Sequence, residues 1–133
     1  MAAPLTATFD PIIALVQAHC QNVVIVRQEA LPAVAILELR ADYGRYHLHL
    51  REIWRADGSR KYAYYVLAGT TVLVGFDNAS DPRALSLKYG AAYGQHRLEL
   101  IPHQHKNNKH DLVLTAEMDC AALFSWLQAN SLE

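Results

Sequence analysis

Cysteines, long apolar runs and signal-peptide features are scarce or absent in this sequence. The 133 residues include only two cysteines, Cys20 and Cys120, whose spacing fits neither a disulfide framework nor a metal motif. No apolar run reaches the roughly 20 residues that a membrane helix needs, and the N-terminus lacks a basic start followed by a small-residue cleavage site. We therefore expect a cytoplasmic protein that does not span a membrane.

Short catalytic signatures are also missing. The sequence contains no GxGxxG, P-loop or GxSxG motif and no context for a cysteine nucleophile, which argues against the enzyme classes that carry them. Repeats, low-complexity tracts and interdomain linkers are absent as well. With 52% hydrophobic and 19% charged residues, the chain has the composition of one globular domain over residues 1–133.

Charge is balanced overall but unevenly distributed along the chain. Twelve Lys and Arg against thirteen Asp and Glu give a net charge of −1, which argues against a large nonspecific nucleic-acid binder. The segment from Arg45 to Lys109, however, holds ten basic and five acidic residues, and five of the seven histidines lie in it. This basic middle is either a solvated sheet face or a surface for an anionic ligand such as RNA.

Short runs of β-branched and aromatic residues predict that much of the chain forms strands. The predicted strands cover residues 23–26, 33–39, 45–55, 60–67, 71–76 and 95–101. Asp57-Gly58 is a strong signal for a hairpin turn between two of them. Residues 80–95 contain one proline and two glycines and are predicted to form an irregular loop.

A helix is predicted at each end of the chain. Asp10 is expected to cap the first helix, with Pro11 in its first turn, and this helix should run to about Gln21. Thr115 is expected to cap the second helix, whose first turn is acidic. The fold class that follows is α+β, with a single twisted antiparallel β-sheet of five to six strands in meander order and a helix from each terminus against it.

One carboxylate interrupts an apolar strand face. Alternation places Glu52 on the same face as Trp54 and the neighbouring leucines, where an unpaired charge is costly. Glu52 can pair with Arg60 or with a tyrosine hydroxyl across the hairpin, which is a structural role. Alternatively, it is a general base or a metal-binding carboxylate, since a partly buried carboxylate can take up a proton near neutral pH.

Asp77 and Asn78 follow the predicted strand at residues 71–76. Such a pair commonly forms an Asx-turn, in which the aspartate side chain accepts hydrogen bonds from the next backbone amides. Strand ends also hold catalytic groups on a rigid scaffold while leaving them accessible. Asp77 is therefore a catalytic candidate as well as a turn residue.

The most unusual stretch is residues 101–110, which contains three histidines and two lysines. In an extended segment, His103 and His105 point the same way about 7 Å apart, so they can share a metal ion or flank one phosphate. Lys106 and Lys109 add positive charge nearby. This pattern points to a site for a metal ion or for a phosphate group.

Three interpretations of this stretch stay open. A zinc or other transition-metal site needs a further ligand, for which His110, Glu52 and Asp77 are available. A metal-free site for RNA cleavage would use one histidine to take the proton of a 2′-hydroxyl and another group to protonate the leaving oxygen. The third interpretation is a polar loop whose histidines have no chemical role.

The order of these motifs resembles that of the TumE-like toxins of prokaryotic toxin–antitoxin pairs. The landmarks are Glu52 before the hairpin, then Arg60-Lys61-Tyr62-Ala63-Tyr64, Phe76-Asp77-Asn78-Ala79 and Pro102-His103-Gln104-His105-Lys106. The resemblance covers about residues 35–128. This chain departs from the family pattern at three places, where the family has arginine or histidine: Gly75, Gln104 and Ser80-Asp81-Pro82.

The resemblance implies a small cytoplasmic toxin that acts on RNA and is silenced by a helix-turn-helix antitoxin. The leading hypothesis is therefore an RNA-cleaving, ribonuclease-like toxin. Its predicted catalytic residues are His103, His105, Glu52 and Asp77. Its predicted substrate-binding residues are Arg51, Arg60, Lys106, Tyr62, Tyr64 and Asn78. No cofactor is expected, although a metal ion at His103 and His105 is an open alternative, as is a homodimer.

Two other functions stay open. A noncatalytic binding module would use the basic, histidine-rich sheet to dock nucleic acid or a protein partner. A metal-dependent hydrolase would use the histidine pair as ligands. Removing one histidine abolishes catalysis, whereas a binding module loses affinity gradually as several contacts are removed.

Overall fold

The computed structural model describes residues 9–130 and 132. In this part of the chain the elements follow one another as α1 (Asp10–His19), β1 (Gln21–Ala30), β2 (Val34–Tyr43), β3 (Tyr46–Arg55), β4 (Arg60–Ala68), β5 (Thr71–Asp77), α2 (Pro82–Tyr89), a 3₁₀ helix (Gly90–His96), β6 (His103–Lys106), β7 (Asp111–Leu114) and α3 (Cys120–Ala129). None of these helices is both long and apolar enough to cross a membrane.

The seven strands form one sheet in the order β1-β2-β3-β4-β5-β6-β7, and every neighbouring pair is antiparallel. The predicted α+β fold with a single antiparallel meander is therefore confirmed. The described residues contain seven strands rather than five or six, because the polar stretch around the histidine pair forms a short hairpin of its own. This hairpin adds β6 and β7 to the edge of the sheet next to β5.

One face of the sheet, here called the core face, carries the main hydrophobic core. Alternate residues of β2 to β5 are buried on it and pack against α1 and α3. Its largest buried side chains are Tyr62, Tyr64, Phe76, Phe9, Phe124 and several leucines. The alternation predicted for β3 is confirmed, since Tyr46, Leu48, Leu50 and Glu52 are buried while the residues between them are more exposed.

The predicted irregular loop at residues 80–95 is wrong, because α2 and the 3₁₀ helix occupy this segment. The side chain of Asp81 accepts a hydrogen bond from the backbone N–H of Arg83 at 2.8 Å, and Pro82 lies in the first turn. This aspartate–proline start is the same signal that predicted the N-terminal helix. In α2 it was obscured by the glycines downstream.

The predicted strand at residues 95–101 is also wrong. The strands in this region are β6 and β7, joined by a turn in which Asn107, Asn108 and Lys109 have φ values of 51°, 55° and 71°. Three successive non-glycine residues in the left-handed region are uncommon. Asparagine tolerates this region better than most residues, which explains how the polar stretch can turn so tightly.

Helix and strand ends also differ from the predictions. The C-terminal helix begins at Cys120, and its cap is Asp119, whose carboxylate accepts the N–H of Ala122 at 2.7 Å, rather than Thr115. The first helix includes Asp10 and ends at His19, two residues before the predicted end. Strands β1 and β2 are longer than predicted because each continues along its neighbour in the sheet.

Candidate functional site

Strands β5 and β6 bring three of the four predicted catalytic residues together. In the register of this pair, Asp77 lies opposite His103 and Gly75 lies opposite His105. Residues two apart on a strand share a face, so all three side chains lie on one side of the sheet, opposite the core face. This side, which also carries Tyr65 of β4, is here called the histidine face.

Asp77 binds both imidazoles with one carboxylate. Its Oδ1 lies 3.0 Å from Nε2 of His103, and its Oδ2 lies 3.2 Å from Nε2 of His105. The two rings are edge to face with centroids 4.8 Å apart. Asp77, His103 and His105 are only 6%, 1% and 4% exposed, so the cluster is almost completely shielded from solvent.

His103 is held in one orientation by the backbone. Its Nδ1 lies 2.6 Å from the carbonyl oxygen of Ile101, which can only accept a hydrogen bond. Nδ1 therefore carries a proton and donates it to Ile101. The opposite nitrogen, Nε2, is within ion-pair distance of Asp77 but lacks the direction of a hydrogen bond to it.

Tyr65 and Lys109 complete the surroundings of Asp77. The Tyr65 hydroxyl donates a hydrogen bond to Oδ2 of Asp77 at 2.6 Å, and the backbone N–H of Ala79 donates to Oδ1 at 3.0 Å. The ammonium group of Lys109 lies 4.5 Å from the centre of the Tyr65 ring, where the left-handed turn between β6 and β7 places it. The predicted Asx-turn of Asp77 is confirmed.

The protonation of the cluster follows from these contacts. Burial acts against the charged form of Asp77, but hydrogen bonds from its neighbours outweigh it and hold the pKa at about 2. Burial likewise acts against a charged His103, yet the contacts with Asp77 and the Ile101 carbonyl raise its pKa above the usual value. Burial lowers the pKa of His105, so this imidazole is the more readily neutral of the two.

A groove of about 240 Å³ lies beside Tyr65 on the histidine face. Arg40, His49 and Arg51 line it, together with Glu38, whose Oε1 lies 3.4 Å from Nε of Arg51. About half of the Arg51 side chain is exposed (51%), so it can contact a ligand despite this pair. The groove therefore presents a surplus of positive charge next to the cluster.

The fourth predicted catalytic residue, Glu52, lies on the other side of the sheet. It is 2% exposed on the core face, and Arg60 donates two hydrogen bonds of 2.8 Å to its carboxylate. The Tyr64 hydroxyl also donates to Glu52. The structural alternative, pairing across the hairpin, is what the structure shows. Glu52 and Arg60 do not meet the histidines.

The other predicted binding residues are also divided. Tyr62 is buried on the core face, and its hydroxyl accepts the N–H of Met118 at 3.0 Å. Asn78 bonds the β4 backbone, accepting from the N–H of Tyr62 at 3.0 Å and donating to the carbonyl of Arg60 at 2.8 Å. Lys106 is exposed at the end of β6 and shares the side of Gln104, opposite the histidines. Of the six, only Arg51 lies on the histidine face.

Tyr65, Arg40 and His49 are not among the predicted site residues, whereas the positive charge of Lys109 is expected from the sequence. Tyr65 lies in a run of tyrosines, which is typical of a strand. Alternation along β4 places Tyr65 on the other face of the sheet from Tyr62 and Tyr64, and this is the signal that distinguishes Tyr65. Whether these residues lie near the cluster depends on how strands far apart in the sequence pair, and a single sequence does not determine that pairing.

Comparison with protein-family models, with curated proteins and with solved structures gives no significant match for this chain.

Proposed function

We propose that this protein is an RNA-directed, ribonuclease-like toxin whose reaction centre is the cluster of Asp77, His103 and His105. The observation that supports it is the convergence of these three residues on the histidine face, beside a groove lined by Arg40 and Arg51. The proposal includes a helix-turn-helix antitoxin as the silencing partner, which follows from the resemblance to the TumE-like toxins.

The chemistry proposed is attack by a ribose 2′-hydroxyl on the adjacent phosphate, which breaks the bond from phosphorus to the 5′-oxygen of the next nucleotide, and that oxygen leaves as a hydroxyl once it is protonated. This reaction needs a group that removes the proton of the hydroxyl. It also needs positive charge close to the phosphate oxygens. A carboxylate with two imidazoles can meet these needs in two ways, either directly as acid and base or as ligands of a cation. The proposed function requires only that the reaction takes place at this cluster.

RNA binding is assigned to the groove beside Tyr65. Guanidinium groups suit phosphate because their planar donors can form two parallel hydrogen bonds. Arg40 and Arg51 lie on neighbouring strands, two register positions apart, so they can contact successive phosphates of one RNA chain. The Lys109 ammonium, 4.5 Å from the centre of the Tyr65 ring, adds further positive charge. In this proposal Glu52, Arg60, Tyr62, Tyr64 and Asn78 support the fold and do not touch RNA.

The experiment that tests this function is controlled expression of the wild type beside His105→Ala and His47→Ala, with growth and total RNA followed together. His47 is an exposed histidine that pairs with Asp42, away from the cluster, so it is the matched control. We expect growth arrest and RNA decay with the wild type and His47→Ala, and neither with His105→Ala. The folding of each variant is checked by circular dichroism.

Full RNA decay with a folded His105→Ala variant would contradict a reaction at this cluster. A second candidate, the noncatalytic binding module, is favoured by the burial of the cluster, in which each residue is 6% exposed or less. For that function the wild type leaves RNA intact, and the affinity for RNA falls stepwise as Arg40 and Arg51 are replaced in turn.

A further inference from the structure

The backbone fixes which ring nitrogen of His103 is available to bind a further group. Nδ1 holds the proton that it donates to Ile101, so in a neutral ring Nε2 carries the lone pair. That lone pair faces a carboxylate oxygen of Asp77 at 3.0 Å, and two electron-rich atoms this close repel each other. A cation shared by the two atoms, either a proton or a metal ion, removes the repulsion.

The same arrangement is typical of histidines that bind metal ions. A metal-binding imidazole usually donates its second N–H to a carboxylate or a backbone carbonyl, which fixes the ring and its tautomer. The Ile101 carbonyl has this role for His103. Nε2 lies 3.0 Å from Oδ1 of Asp77 without the direction of a hydrogen bond, so the charge of the carboxylate is what holds a proton there, and a metal ion competes with that proton.

The distances within the cluster suit a common ligand. Bonds of about 2.0–2.1 Å to a tetrahedral zinc ion leave the ligand atoms roughly 3.3 Å apart. Nε2 of His103 lies 3.0 Å from Oδ1 of Asp77, and Nε2 of His105 lies 3.2 Å from Oδ2. One ligand atom from each of the three residues can be chosen so that all lie within 4.8 Å of one another. Little movement is therefore needed to place all three around one ion.

The carboxylate is also held from outside the cluster. The Tyr65 hydroxyl and the Ala79 N–H bind its two oxygens, so Asp77 cannot turn away. Outer partners of this kind orient metal ligands and strengthen metal binding. His105 has no other partner for its imidazole nitrogens among the described residues, so a metal ion has only the proton shared with Asp77 to displace.

The geometry points to a divalent transition-metal site, of the kind that binds zinc, formed by Nε2 of His103, Nε2 of His105 and the carboxylate of Asp77. Two imidazoles and one carboxylate are ligands that zinc accepts. Three protein ligands leave a fourth position for water or a phosphate oxygen, as in catalytic zinc sites. The inference takes the reaction centre of the proposed function as its site and names the cofactor class, but metal binding itself does not require RNA to be the substrate.

The test begins with full-length protein freed of metal by dialysis against a chelator. Zinc binding is measured by calorimetry and elemental analysis, and cobalt(II) is added to a second sample to follow its visible absorption. We compare the wild type with His47→Ala, His105→Gln and Asp77→Asn. The expectation is one zinc per chain for the wild type and His47→Ala, and at least about a hundredfold weaker binding for the other two.

A further variant keeps the test decisive if the ligand substitutions fail to fold. Tyr65→Phe removes only a hydroxyl that orients Asp77, so we expect a folded protein whose zinc affinity is about tenfold lower. Failure of the wild type to bind stoichiometric zinc, or equal losses in His47→Ala and Tyr65→Phe, would overturn the metal site.

RNA cleavage by the metal-free and the zinc-loaded protein separates this inference from the proposed function. Cleavage that is lost on metal removal and restored by zinc supports both. Undiminished cleavage by metal-free protein overturns the metal cofactor and leaves the ribonuclease function standing. Stoichiometric zinc binding at the three residues without any RNA cleavage supports the metal site and overturns the ribonuclease function.

Discussion

One edge of the Tyr65 ring lies over Gly75, its register partner across the β4–β5 pair, and the Tyr65 hydroxyl reaches the carboxylate of Asp77. A Cβ atom added at Gly75 would overlap the Cδ1 and Cε1 atoms of the ring. The absence of a side chain at Gly75 therefore allows Tyr65 to hold Asp77. An arginine, which the TumE-like pattern has at this position, does not fit while the ring lies there.

Gly75→Ala is expected to push the Tyr65 ring off the sheet and weaken the cluster. Forcing one methyl group into a packed site costs about 1–3 kcal/mol of unfolding free energy. Urea denaturation measures this loss. Zinc titration checks whether the variant also loses the orientation of Asp77.

The matched control is Gly94→Ala in the 3₁₀ helix, where an added Cβ meets nothing within 4 Å. We expect this variant to be as stable as the wild type or slightly more stable, since alanine restricts the unfolded chain more than glycine does. Equal losses at Gly75 and Gly94 would contradict the close approach of Tyr65.

Arg60→Ala is expected to destabilise the protein strongly. Arg60 is the cationic partner of Glu52, which is 2% exposed, and its removal leaves an uncompensated charge in the core. Breaking a buried pair in this way costs about 3–5 kcal/mol. Arg51→Ala removes the exposed partner of Glu38 and should cost no more than about 1 kcal/mol. Similar urea midpoints for the two variants would show that the Glu52 pair is not a buried ion pair.

The structure explains which parts of the site could be predicted from the sequence. Alternation within one strand is a local pattern, so the shared side of His103 and His105 and the buried position of Glu52 could be predicted. The relation between strands is not local. Asp77 meets His103 only through the β5–β6 register, and the two residues are separated by α2 and the 3₁₀ helix.

The same limit explains why the sequence does not separate Glu52 from the histidines. Alternation assigns Glu52 and Asp77 each to one face of its own strand. It does not say which face of one strand lies on the same side of the sheet as which face of another. The registers of β3, β4 and β5 set Glu52 beside Tyr62 and Asp77 beside Ala63, which alternate along β4. The two carboxylates therefore lie on opposite faces of the sheet. Grouping both with the histidines assumed a pairing that the chain does not form.

Replacing Arg40 or Arg51 by alanine is expected to weaken RNA binding and reduce its dependence on salt. Each phosphate contact with a single strand contributes about 0.7 to the slope of log K against log salt concentration. The slope should therefore fall by about that amount for each substitution, measured by fluorescence anisotropy with a short RNA. Arg45→Ala is the control, because Arg45 contacts Tyr46 of the core face and lies outside the groove. An unchanged slope for both groove variants would contradict RNA binding there.

Both thiols are expected to resist alkylation in the native protein. Burial, with the charge of Asp42, raises the pKa of Cys20 to about 11, and burial with nearby Glu52 raises the pKa of Cys120 to about 12. Because the thiolate is the reactive form, iodoacetamide at pH 8 should modify neither residue until the protein is unfolded in urea. Mass spectrometry of native and unfolded samples measures this. Rapid native labelling at Cys120 would contradict its burial where α3 packs on the core face.

Asn78→Ala is expected to reduce stability and to leave RNA affinity unchanged. Asn78 is 3% exposed. Its side-chain amide accepts a hydrogen bond from the backbone N–H of Tyr62 and donates one to the carbonyl of Arg60, both at the start of β4. Each buried group left unpaired costs about 1–3 kcal/mol. Asn78→Asp keeps the acceptor for Tyr62 but loses the donor to Arg60, so it separates the two bonds. If Asn78→Ala instead kept its stability and lost RNA affinity, the amide would contact RNA, and the assignment of the binding surface to the histidine face would need to include this strand end.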